Sequence, residues 1–82
     1  MLARELVGQH INVNVIASGR FPSKMTQFIA QDDAALAEDC ALIPMQRWGR
    51  EEEMAALAIS LTSTAGAYMT GTIIPIDGGF HL

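Results

Sequence analysis

The chain has 82 residues, half of them hydrophobic and 17% charged, with a formal net charge of −4 from 5 Lys+Arg against 9 Asp+Glu. That balance is too apolar for a disordered tail and too acidic for a nucleic-acid footprint, and no apolar run reaches the roughly 18 residues of a membrane span. One cysteine, Cys40, excludes an internal disulfide, and no Cys/His spacing suggests a zinc site. The opening Met1-Leu2-Ala3-Arg4-Glu5 lacks a basic stretch followed by an apolar one, so a cytoplasmic location is expected.

Residues 1–8 read as the end of a helix, with Leu2 and Leu6 on one face and Gly8 as its stop. No capping residue precedes it. Residues 11–17 form the best strand: Ile11, Val13 and Val15 alternate with Asn12 and Asn14 before the run turns fully apolar. An apolar run on both faces suits a buried parallel sheet. Ser18-Gly19 ends it, and Pro22 keeps the next residues irregular. Two helices are expected over 24–31 and 33–42. Met25, Phe28 and Ile29 share a face of the first, and Asp32-Asp33 cap the second, which ends before Pro44. Residues 45–49 read as loop.

Glu51-Glu52-Glu53 open the clearest helix, where three carboxylates face the positive end of its dipole. Met54, Leu57, Ala58 and Leu61 recur at helical spacing, and Ser63-Thr64-Ala65-Gly66 ends the helix. Thr72–Ile76 is a second strand, stopped by Asp77-Gly78-Gly79, in which Pro75 implies an edge or a bulge. Two strands separated by helix give an α/β chain with a parallel sheet. A lone pair of strands is marginal, so further strands are expected from elsewhere.

Three blocks together resemble the carboxyl-terminal part of a short-chain dehydrogenase/reductase. They are Leu2–Leu6 with Ile11–Gly19, then Ile43–Glu53, then Thr70-Gly71-Thr72 through Gly79. The tail, from Gly66 through Leu82, is similar to bacterial 3-oxoacyl reductase-like members, including the branch of rhamnolipid synthesis. The resemblance implies residues 1–82 as part of one Rossmann-like doubly wound parallel sheet, its other strands absent from this chain. It implies NAD or NADP as cofactor, NADP if the protein is 3-oxoacyl reductase-like, and a small carbonyl or alcohol substrate. A homo-oligomer is implied too, with helix 51–63 and strand 72–76 as its surfaces.

By position, the resemblance places Gly19, Phe21 and Ser23 at the cofactor, with the Phe21 backbone on the nicotinamide carboxamide. Residues 24–42 become a substrate lid, with Met25, Phe28 and Ile29 toward an acyl chain. For the last three, simple core packing is the competing reading, as a helix cap is for Ser23. Two departures stand out: Ser18 replaces a Pro that would fix the turn, and Glu51 replaces a Pro common at that helix start. The family's Tyr-Lys proton-transfer pair finds no match. The only Tyr, Tyr68, is followed four residues later by Thr72, and the only Lys, Lys24, falls in the lid. The family's Lys would fall about nine residues before Met1, which makes Met1 look internal to a longer protein. No Gly-rich phosphate turn is present, and Gly78-Gly79 reads as a simple turn, expected at a subunit interface.

The remaining polar residues have ordinary readings. Asn14 satisfies neighbouring backbone groups, Arg47 pairs with a carboxylate among Glu51–Glu53, and Trp48 packs. His10 and His81 lack a carboxylate at diagnostic spacing and read as surface residues. No catalytic or metal-binding residue is assigned. Three functions compete: part of a hydride-transferring oxidoreductase inactive by itself, a non-catalytic module docking on an intact homologue, and a gene remnant.

Overall fold

The computed structural model describes residues 2–82. Helix α1, Leu2–Leu6, runs into a 3₁₀ turn, Val7–Gln9. The stop is His10 rather than Gly8. His10 takes the left-handed conformation with φ 61°, and its N–H closes on the Val7 carbonyl at 3.1 Å. The expectation about Met1 falls outside the described residues.

Strand β1 is Val15–Ser18, shorter than residues 11–17. The alternation over Ile11–Asn14 has a different origin. The segment facing it, Gly66–Thr72, contains no strand before Ile73. One backbone bond crosses here, from the Gly71 N–H to the Val13 carbonyl at 2.8 Å, and side chains supply the rest. Asn12 Nδ2 donates to the Ala67 carbonyl at 3.2 Å, and the Val13 N–H donates to Thr70 Oγ1 at 3.0 Å. Asn14 Nδ2 donates to the Met69 carbonyl at 3.1 Å. Its Oδ1 accepts from the Thr72 N–H at 3.1 Å and the Thr72 hydroxyl at 2.6 Å. Half-buried Asn14 thus satisfies neighbouring backbone groups.

Strand β2, Ile73–Ile76, pairs with β1 in parallel, Val15 opposite Ile73 through Ser18 opposite Ile76. The carbonyls of Thr72 and Ile76 accept from Val15 and Gly19, so even-numbered β2 residues turn their peptide groups inward. Pro75 therefore faces its nitrogen outward, and no bulge is needed to accommodate it.

Between the strands lie α2, Gln27–Ala30, α3, Asp33–Ala41, and α4, Glu51–Thr62. Asp32 caps α3, its carboxylate accepting from the Ala34 and Ala35 N–H groups. Helix α2 is shorter than 24–31 because Ser23 and Thr26 close a turn ahead of it. Met25 lies in that turn, so it does not share a helical face with Phe28 and Ile29. Ser63 ends α4 and caps a 3₁₀ turn, Thr64–Gly66. A Cβ on buried Gly66 would overlap the Leu61 carbonyl, which explains glycine there.

These elements enclose little. Ala3 and Ile43 are the only buried hydrophobics among the described residues. The radius of gyration is 15.6 Å, against about 12 Å for a compact domain of this length. The accessible surface is 6165 Å², against about 4,800 Å² for a folded monomer of this mass. Ile59 and Ile73 are each 67% exposed, on α4 and on β2.

Candidate cofactor wall and loop neck

The carboxyl ends of β1 and β2 come together on glycine. A Cβ on Gly19 would sit 2.5 Å from the Cβ of Asp77. The strand ends approach so closely only because Gly19 lacks a side chain. Just beyond, the Gly49 N–H donates to the Arg20 carbonyl at 2.9 Å, and the Phe21 ring covers Gly49, where a Cβ would overlap it. Gly78 and Gly79, with φ of 64° and 89°, turn the chain back over Ile43 and Pro44. The Gly78 carbonyl accepts from the Met45 N–H at 3.0 Å. A cleft of about 250 Å³ opens between these pieces, lined by Phe21, Met45, Arg47, Ile76, Asp77 and His81 among others.

Of the residues expected at the cofactor, Gly19 and Phe21 stand at this strand end. The Phe21 carbonyl accepts from Thr26 Oγ1 at 3.0 Å, while its N–H has no protein partner among the described residues. Ser23 is exposed and paired locally. Its N–H donates to Thr26 Oγ1 at 3.0 Å, and the two hydroxyls lie 3.2 Å apart. Ser23 therefore shapes the turn before α2, whose N-cap is Thr26. Met25 and Phe28 are 84% and 70% exposed and Ile29 is half-buried; none of the three lines the cleft.

Arg47 binds Glu53 through two parallel hydrogen bonds of 2.7 and 2.9 Å. Glu53 also accepts from the Arg50 N–H at 2.9 Å, closing the first turn of α4. The Arg47 guanidinium, with the Arg50 N–H, holds the Glu53 carboxyl down at about 2. Glu53 in turn raises the Arg47 pKa.

Two contacts differ from the sequence reading. Trp48 does more than pack: its Nε1–H donates to Asp39 Oδ2 at 2.6 Å. His81 does have a carboxylate, with its Nδ1 lying 3.0 Å from Asp77 Oδ1 at i, i+4 spacing. Burial pushes Asp77 up, but His81 and the Gly79 N–H outweigh it and leave the carboxyl below its usual range. The sequence reading also missed Arg20 and Asp39, which pair through bonds of 2.9 and 3.0 Å. Arg20 holds Asp39 below the usual carboxylate range, helped by Trp48 against the opposing effect of burial. Residues 19 apart on a loop and a helix carry no local signal of such pairing. The described residues contain no cluster of metal-ligating side chains and no helix long and apolar enough to cross a membrane.

The family described as enoyl-(acyl carrier protein) reductase matches residues 1–81. The rhamnolipids biosynthesis 3-oxoacyl-(acyl-carrier-protein) reductase of Pseudomonas aeruginosa is 77% identical over the whole chain, which covers 32% of that relative. The 3-oxoacyl-(acyl-carrier-protein) reductase FabG of Thermotoga maritima is 39% identical over 94% of the chain and 30% of its own length. Among solved structures, the Pseudomonas aeruginosa RhlG/NADP active-site complex superposes with a TM-score of 0.98 at 77% identity. It covers all of this chain and 32% of that one. The chain thus spans about a third of the length of the curated relatives it matches. Its parallel strand pair with flanking helices corresponds to a portion of their Rossmann-like sheet. With three blocks of motif, a parallel β1–β2 pair and a family match over residues 1–81, the chain belongs to the short-chain dehydrogenase/reductase family.

Proposed function

We propose that this chain is the carboxyl-terminal part of an NADP-dependent reductase acting on a 3-oxoacyl substrate, and that residues 1–82 belong to one Rossmann-like domain. The observation that carries this reading is the 77% identity and 0.98 TM-score to the RhlG/NADP complex along the entire chain. NADPH, when bound, would supply the hydride. The chain's part is to build one wall of the site. Gly19 lets the strand end meet Asp77 closely, and the unpaired Phe21 N–H is free to donate to a carboxamide oxygen. Its carbonyl stays committed to Thr26, which holds that peptide in place. Ser23 reaches the cofactor by exchanging its Thr26 partner. Residues 24–42 serve as the substrate lid, with exposed Met25 and Phe28 and half-buried Ile29 offered to the acyl chain.

Proton transfer needs an acid outside these 82 residues, so the chain by itself binds part of a cofactor and turns nothing over. A cytoplasmic location and a homo-oligomer built through α4 and β2 complete the reading. The coding sequence upstream of Met1 tests it, together with NADPH binding by the protein of the full reading frame. A Tyr-x-x-x-Lys with its Lys about nine codons before Met1, and saturable NADPH binding, are expected. An in-frame stop there, or no binding of NADPH or NADH, would sink it.

A second reading is a non-catalytic module that docks on an intact homologue. The exposed Ile59 of α4 and Ile73 of β2 support it. Co-purification with a tagged homologue separates the two readings, because the module must be found bound and the reductase need not be.

A further inference from the structure

Residues 20–49 form a closed loop. At its neck the Gly49 N–H bonds to the Arg20 carbonyl, and the Phe21 ring lies over Gly49. Helix α3 folds back so that one carboxylate, Asp39, meets both sides of that neck. Its Oδ1 accepts from Arg20 Nη2 at 3.0 Å, and its Oδ2 accepts from Arg20 Nε at 2.9 Å and from Trp48 Nε1 at 2.6 Å. Arg20 is the residue before Phe21, and Trp48 is the residue before Gly49. The Asp39 side chain is only 15% exposed, so these bonds are partly shielded from competing water.

Elsewhere the excursion is anchored at Ile43, which is buried against Gly78, and by the Met45 N–H bond to the Gly78 carbonyl, while its helices are held weakly. Helix α2 spans four residues, and its apolar side chains are exposed or half-buried. Helix α3 has no buried residue. With α2 and α3 this little packed among the described residues, the charge-assisted, partly bidentate contact at Asp39 is what ties α3 to the neck.

We propose that Asp39 is the positioning residue of this excursion, a clasp that docks α3 onto the neck and so sets where the Phe21 backbone and the lid stand relative to the cleft. The inference rests on the reductase reading for its enzymatic arm only. With Asp39 in place, the loop is shut at its base and the lid pivots from a fixed neck. Without it, Arg20 and Trp48 lose their common acceptor, and α3 is tethered only through the chain leading to Ile43.

The test uses the protein of the full reading frame, with Asp39→Asn as an isosteric change and Asp39→Glu as the variant that keeps the carboxylate. Lys24, the only lysine of the chain, is exposed in the loop and reports its opening to trypsin. Cleavage after Lys24 is followed by mass spectrometry beside cleavage after Arg4 in α1. In Asp39→Asn the Lys24 cut should quicken about tenfold, as expected for losing one charge-assisted bond from a local opening equilibrium, with Arg4 unchanged. Asp39→Glu should restore most of the protection. In turnover, with acetoacetyl-CoA as the 3-oxoacyl probe, Asp39→Asn should raise KM several-fold while kcat stays within twofold.

Wild-type cleavage kinetics in Asp39→Asn would overturn the clasp. So would equal acceleration at Lys24 and Arg4, which marks a global loss of structure, or a fall in kcat with unchanged KM. A wild-type protein that binds no NADPH sinks the reductase reading, and leaves the proteolytic comparison to decide the clasp by itself.

Discussion

The loop 20–49 and the strand pair with α4 solve the same problem in opposite ways. Each must hold backbone in place with few residues. The loop does so with charge: Asp39 gathers Arg20 and Trp48, and Arg47 grips Glu53 at the start of α4. The strand pair and α4 depend on apolar faces, and those faces remain open, with Ile59 and Ile73 each 67% exposed. Polar closure is short-ranged and geometric, so a few residues complete it. Apolar closure scales with area, and these 82 residues, about a third of the length of the relatives they match, hold only part of it. The exception lies where the strands end, at Gly19 and Asp77, because there backbone meets backbone with no side chain between.

The comparison can be broken most severely at that exception. Gly19→Val forces its Cβ into Asp77 and should cost about 3 kcal/mol or more, the upper range for overpacking. The midpoint of urea unfolding of the whole protein reads it, and a shift within error would mean the strand ends part easily. Asn14→Leu comes next. It removes the bonds to Met69 and Thr72 at the other end of the strands, and should cost about 1–3 kcal/mol by leaving the Thr72 N–H unsatisfied. Amide exchange should quicken at Thr72 and Gly71 before it does at Ile74; uniform exchange would contradict the staple.

Acid sharpens the comparison from the polar side. Glu53 is depressed to about 2 in the folded chain, against an ordinary 4.5. A depressed carboxyl lends stability above its unfolded pKa and loses it as pH falls through the folded one. The tie from Arg47 to α4 should therefore be whole above about pH 4.5, half lost near pH 2 and gone only below it, while the strand pair keeps its bonds. Exchange at the first-turn amides of α4 between pH 5 and 2 checks this, and Glu53→Gln should flatten the response. The smallest effect belongs to His81→Ala. With the imidazole more than half exposed, the pair to Asp77 should leave the unfolding midpoint unmoved in 0.15 M salt.

What the sequence makes legible is what it encodes locally. Asp32 caps α3 because Asp before a helical run has backbone donors within reach, and the three glutamates mark the start of α4. The parallel relation of the strands follows from the helices between them. Arg47 and Glu53, six apart across a helix start, were also readable. Other features depend on chain that is distant in sequence. Ile11–Asn14 has the alternation of a strand, yet its partner is a turn, so asparagine amides take over the bonding. Met25 has helical spacing to Phe28 and Ile29, but the Ser23–Thr26 turn takes that stretch first. Asp39 is one acidic residue among several on its helix until the neck is formed. Of the cofactor wall, Gly19 and Phe21 were placed by resemblance at a strand end that the structure does form. Ser23 was placed there too, and its hydroxyl is occupied by Thr26.

Pro75 gives the strand pair a sidedness. On the outer flank of β2 the amide at position 75 has no hydrogen, so a strand laid there would meet a gap in its ladder. On the outer flank of β1, Ile16 and Ser18 turn both N–H and carbonyl outward, by the same alternation that sends Val15 and Gly19 toward β2. The pair is therefore a template that reads in one direction. Any further strand of the same sheet, or any stray one, finds a full row of outward groups at β1 and a gap in that row at β2.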